Sequence, residues 1–91
     1  MSDLTVTVYT RPTWTDCQAL KEFLSSQHFH YTDIDLTQNP EKEEELKKKT
    51  GSKIVPGIII SKTRFLGFSK QEKYFIGFEQ NESDIRKILK V

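Results

Sequence analysis

The apolar residues of this chain change their period several times within 91 positions, and that alternation restricts the fold more than any other feature of the sequence. Leu4-Thr5-Val6-Thr7-Val8-Tyr9 alternates polar and apolar with β-branched residues, which predicts a strand. It stops at Thr10-Arg11-Pro12, where proline has no N–H for a ladder. From Asp16 the step becomes three to four: Cys17, Leu20 and Leu24, flanked by Ala19 and Phe23, form one helical stripe running to Gln27. Phe29–Leu36 reads as a second strand, with Tyr31 and Ile34 among its inward residues. A strand, a helix and a strand in succession imply a right-handed parallel crossover.

Asn39-Pro40 reads as the start of a second helix, with Asn as cap and Pro at the first helical position, and Gly51 as its stop. Glu41, Glu43, Glu44 and Glu45 come early and Lys47, Lys48 and Lys49 late, which complements the helix dipole. The spacing predicts the pairs Glu43–Lys47, Glu44–Lys48 and Glu45–Lys49 on a solvated face, with Leu46 as the apolar anchor. Gly57-Ile58-Ile59-Ile60 reads as a strand buried on both faces. Arg64–Phe68 and Lys73–Phe78 are further extended segments around Ser69-Lys70-Gln71-Glu72, which predicts a hairpin. Asn81 is expected to cap a last helix with core residues Ile85, Ile88 and Leu89, and Asp84 completes an approximate capping box. The order is β-α-β-α-β-β-α, an α/β chain expected to form one domain over residues 1–91.

Lys plus Arg number 14 against 13 acids, which argues against a dedicated nucleic-acid binder. The longest apolar run, Val55–Ile60, is broken by Pro56 and Gly57, far short of the ~20 residues of a membrane span. Met1-Ser2-Asp3-Leu4 shows no signal-peptide pattern. One cysteine, Cys17, excludes an intramolecular disulfide and a cysteine-based zinc site, so a cytoplasmic location is expected. His28 and His30 have no cysteine or acidic cluster at ligand spacing, so no metal site is expected and both are read as surface residues.

Four features placed in this order resemble the glutaredoxin family of the thioredoxin fold. They are Val8-Tyr9-Thr10-Arg11-Pro12-Thr13 at the first turn, a cysteine just inside the first helix, Gly51-Ser52-Lys53-Ile54-Val55-Pro56, and Gly77-Phe78 before the last helix. The third looks like the family's Gly-x-x-Thr-Val-Pro with Ile54 for threonine. The resemblance implies a mixed sheet of about four strands with three helices on its two faces. It implies a protein of thiol-disulfide redox homeostasis. The family's Cys-x-x-Cys falls on Trp14-Thr15-Asp16-Cys17, so the attacking cysteine is replaced by tryptophan. A thiol at that helix terminus owes its reactivity to the dipole and free amides, which lower its pKa from about 8.5 to as low as ~3.5–7. Cys17 then remains as the one redox-capable residue, and dithiol activity is lost or impaired.

Cys17 reads either as a buried small hydrophobe, as a residual nucleophile or glutathionylation site, or as an intermolecular ligand. Trp14 is either an exposed partner contact or a ring folded over the site. By resemblance, a cis peptide at Val55–Pro56 frees the backbone of Val55 for an extended ligand, and Arg11 faces a ligand carboxylate or is simply solvated. The N-terminus after Gly77-Phe78 is expected to receive a carboxylate. Gly67-Phe68 is the rival loop, eleven residues after Pro56, and the choice of Gly77 leaves residues 62–72 as a hairpin extension. The expected ligand set is Arg11, Trp14, Val55, Pro56, Gly77 and Phe78, with glutathione as co-substrate and no resident cofactor. The expected partners are glutathione or a protein thiol or disulfide, with neither nucleic acid nor membrane, for a chain acting as a monomer. The alternative is a catalytically inactive binding module built on the proline groove and Trp14.

Overall fold

The computed structural model describes residues 3–63 and 70–91. Strand β1 (Asp3–Thr10) leads into helix α1 (Thr15–Ser26), then β2 (Thr32–Asp35), α2 (Lys42–Thr50), β3 (Gly57–Thr63), β4 (Lys70–Ile76) and α3 (Glu82–Leu89). The sheet order is β2-β1-β3-β4. β1 pairs parallel with β2, from Thr7 opposite Thr32 to Thr10 opposite Asp35. It pairs antiparallel with β3, with Val6 opposite Ile60 and Val8 opposite Ile58. β3 and β4 form the antiparallel hairpin. This is a mixed four-stranded α/β sheet, as expected.

The period-two alternation of β1 sends its residues to two cores. Val6 and Val8 join Ile58 and Ile60 under α1 (Leu20, Phe23, Leu24) and α3 (Ile85, Leu89). Tyr9 and Ile59 face the other way and pack with Leu36, Val55 and Leu46 of α2. The Tyr9 hydroxyl donates to the Glu45 carboxylate and ties β1 to α2. Burial, and then that carboxylate, push the phenol well above the ordinary tyrosine range.

Several boundaries differ from the sequence expectations, each for a tertiary reason. β2 begins at Thr32 rather than Phe29. His28 adopts φ 61°, and the bonds Phe29 N–H to Leu24 C=O (2.9 Å) and His28 N–H to Ser25 C=O (3.1 Å) close a Schellman turn that uses the preceding residues. Phe29 and Tyr31 pack on the first core from that turn. α2 starts at Lys42, not Pro40, because the Asn39 amide donates to the Asp35 carbonyl (3.1 Å) instead of capping. Gly51 does end α2, at φ 82°.

The three predicted Glu–Lys pairs of α2 give way to other partners, outside the helix for Glu43 and within its first turn for Glu45. Glu43 takes Arg11 (3.0 Å) and Lys53 (3.7 Å), and Glu45 takes Lys42 (3.2 Å). Among the described residues, Lys47, Lys48 and Lys49 form no ion pair. Asn81 does not cap α3; its Nδ2 donates back to the carbonyls of Ile76 and Gly77, both at 2.8 Å. The turn expected at 69–72 is instead strand from Lys70 onward, and the Arg64–Phe68 segment lies outside the described residues. Among the described residues no helix is long and apolar enough to cross a membrane.

Candidate functional site

The loop from Arg11 to Trp14 carries the chain from the end of β1 to the start of α1. Trp14 N–H donates to Arg11 C=O (3.1 Å), and Trp14 C=O accepts the first helical bond, from Gln18 N–H (3.1 Å). Trp14 is thus the N-cap residue, with φ −88° and ψ 125°, and its side chain caps nothing. An indole has no acceptor for the free amides of the first turn. Trp14 is 50% exposed, and it is not among the residues that line the groove described below.

Cys17, one turn into the helix, has 0% exposure and is a free thiol. It packs with Tyr9, Leu36, Leu46, Val55 and Ile59, not with the Leu20–Leu24 stripe to which its spacing assigned it. Burial pushes its thiol above the ordinary cysteine value; a backbone hydrogen bond with Arg11 pulls the other way and is weaker. The position next to it does something the sequence did not suggest. The Asp16 carboxylate accepts from the N–H of Phe78 (2.7 Å) and of Glu79 (3.0 Å), 62 and 63 residues along the chain. It bolts the start of α1 to the approach to α3.

The Val55–Pro56 peptide is cis, and Pro56 C=O accepts from Gly77 N–H (2.9 Å). Gly77 has φ 88°, and a Cβ there would lie 2.9 Å from the Gln80 amide nitrogen, so glycine suits the position on both counts. The Gly77 loop therefore adjoins the proline loop; the rival Gly67 lies outside the described residues. Asp16, Ile54, Val55, Gly77, Glu79 and Gln80 line an open groove of about 570 Å³. The backbone N–H and C=O of Val55 pair with no other described residue, although Val55 is only 4% exposed. Buried backbone groups are nearly always paired.

The structure thus brings Asp16, Val55, Pro56 and Gly77 together. Phe78 contributes differently than expected: its ring is buried against Phe23, with centroids 5.2 Å apart, and its amide is already held by Asp16. Arg11 neither faces the groove nor stands free in solvent, because Glu43 on α2 holds its guanidinium. Ile54, at 58% exposure, and Glu79 and Gln80 complete the groove without having been singled out as ligand residues. Ile54 alone had a signal, as the apolar residue in place of the family's threonine. Among the described residues no group of three or more His, Cys, Asp or Glu is placed to hold a metal.

The architecture is a thioredoxin fold. The crystal structure of Plasmodium falciparum thioredoxin superposes on it with a TM-score of 0.64, covering 94% of this chain and 70% of that one at 18% identity. A family model for glutaredoxin matches residues 6–65, and the chain belongs to the glutaredoxin family. A curated relative, an uncharacterized glutaredoxin-like 8.6 kDa protein in the rubredoxin operon of Clostridium pasteurianum, is 28% identical over 67 residues. Those residues cover 74% of this chain and 89% of the relative. Family and fold are those of thiol redox-type proteins in general.

Proposed function

We propose that this chain serves cytoplasmic thiol redox homeostasis as a binding member of its family, one that holds an extended ligand in the proline groove without dithiol exchange. The observation that carries this reading is the complete burial of Cys17. A nucleophilic thiol must be ionised and reachable; this one is inside a packed cluster, and burial raises its pKa. The family's attacking position holds Trp14, which has no sulfur. The groove supports this reading with Val55 backbone groups that pair with no other described residue, a close Gly77 loop and exposed apolar surface on Ile54, and Trp14 is exposed two residues before Asp16. The ligand is glutathione or an extended segment of a protein thiol or disulfide partner, taken up by a monomer with no role for nucleic acid.

Titration of the ¹⁵N-labelled protein tests this with glutathione and with a capped, cysteine-containing pentapeptide. The expected result is movement of the Ile54, Val55 and Gly77 amide signals by at least one probe, unchanged in Cys17→Ser. Trp14→Ala is expected to weaken binding about fivefold, the low end of a tryptophan contact at an interface. If neither probe moves the Val55 and Gly77 signals, the reading is wrong. A second reading, one-thiol exchange through Cys17, draws on the backbone hydrogen bond with Arg11 that favours the thiolate. It requires the sulfur to become exposed, and it predicts exchange that Cys17→Ser abolishes.

A further inference from the structure

A groove of this kind can fix a ligand carboxylate in two ways, through a neighbouring cation or through free amides at the approach to a helix. In this chain both means are already occupied by its own carboxylates. Asp16 accepts the N–H groups of Phe78 and Glu79 at 2.7 and 3.0 Å. Glu43 holds Arg11 at 3.0 Å, and Lys53 lies 3.7 and 3.8 Å from Glu43 and Glu44. The groove lining itself contains two acids, Asp16 and Glu79, and no base. An anionic ligand entering there meets like charge with no basic side chain in the lining to offset it, whereas the Val55 backbone and exposed Ile54 suit an uncharged strand.

Resting on the binding reading above, we propose that the groove is specific for an internal, extended segment of a partner polypeptide, neutral or basic in sequence, and that it discriminates against glutathione because of glutathione's two carboxylates. The partner's backbone pairs with Val55, an apolar side chain covers Ile54, and a lysine or arginine lies opposite Glu79. Asp16 and Glu43 are the specificity-determining residues. Each acts by filling, from within the chain, a place that a ligand carboxylate would take.

The test compares three probes that cannot exchange disulfides, read through the Val55 and Gly77 amides: S-methylglutathione, its dimethyl ester, and an acetylated, amidated pentapeptide with one lysine. In the wild-type protein the ester and the peptide are expected to bind about tenfold more tightly than the free acid, the size of a few partly screened charge interactions. Asp16→Ala combined with Glu43→Gln should close that gap by freeing the amides and Arg11. Glu43→Gln alone, which touches only a partly exposed ion pair, should narrow it with the fold intact. Tighter binding of the free acid than of its ester by the wild-type protein overturns this specificity while leaving the groove a binding site. If none of the three probes moves the signals, the binding reading fails and this proposal fails with it.

Discussion

Trp14→Cys is expected to confer disulfide reductase activity, with a gain of at least two orders of magnitude over wild type. Residue 14 is the N-cap of the 12-residue helix α1, whose first amides lack a side-chain cap, so a sulfur there lies at the positive end of the dipole. Such placement lowers a thiol pKa from about 8.5 to as low as ~3.5–7.5. Half of the wild-type side chain is already in solvent, so an incoming disulfide can reach the site.

The new thiolate attacks one sulfur of the disulfide, and the other leaves as a thiolate. Dithiothreitol then attacks the mixed disulfide at the substrate sulfur, which frees the protein thiolate, and its own mixed disulfide cyclises to release the second half of the substrate; the buried Cys17 is not needed. Removing a catalytic nucleophile typically costs several orders of magnitude, and supplying one to an intact scaffold should recover at least about a hundredfold. Reduction of the neutral substrate hydroxyethyl disulfide measures it, with dithiothreitol alone as baseline. A variant that folds and shows no gain means that this helix terminus is not the family's reactive position.

The second large effect is on stability and concerns how α2 is seated beside the proline loop. A Cβ on Gly57 would lie 2.2 Å from Leu46 Cδ1, and Leu46 has 0% exposure. The leucine fills the space that the glycine leaves, in the core that also holds Cys17 and Val55. Gly57→Ala is expected to cost about 1–3 kcal/mol by overpacking, and Leu46→Ala about 2–5 kcal/mol by leaving a cavity. Because the two changes act on one volume, the double variant should fall short of their sum by roughly 0.5–3 kcal/mol. Urea midpoints with unchanged m-values give these numbers. Additive losses would show that the two residues do not share the space. For a chain of this size, total stability is about 5–13 kcal/mol, so either change is readily measured.

Much of the fold was legible because burial imposes a period on sequence. Val6 and Val8 against Tyr9, and Leu20 and Leu24 at helical spacing, report which side of β1 or α1 meets a core. Boundaries were less legible where a polar side chain had a tertiary alternative. Asn39 bonds to Asp35 rather than capping α2, and Asn81 reaches back to Ile76 and Gly77. His28 ends α1 in a left-handed conformation that sequence reasoning reserves for glycine. Local charge rules failed on α2 for a related reason: Arg11 and Lys53, brought in by the fold, outcompete the lysines of the helix itself for Glu43.

The site divided in the same way. Val55, Pro56 and Gly77 lie in motifs, and the fold brings them together. The part played by Asp16 depends on amides 62 and 63 residues away, and no local pattern encodes that. Cys17 falls between these cases. Its burial follows from apolar spacing, but its cluster does not, since position 17 meets Tyr9 and Leu46 rather than the leucines that share its stripe.

On the proposed function the groove persists while thiol chemistry is lost, and thiol-disulfide exchange itself measures this most directly. Wild type and Cys17→Ser are compared at neutral pH for the rate at which each exchanges with a glutathione mixed disulfide. Equal rates, both at the level of the protein-free reaction, are the expected result, because the one thiol is buried and burial favours its protonated form. A wild-type rate clearly above that level, removed by Cys17→Ser, would contradict the account.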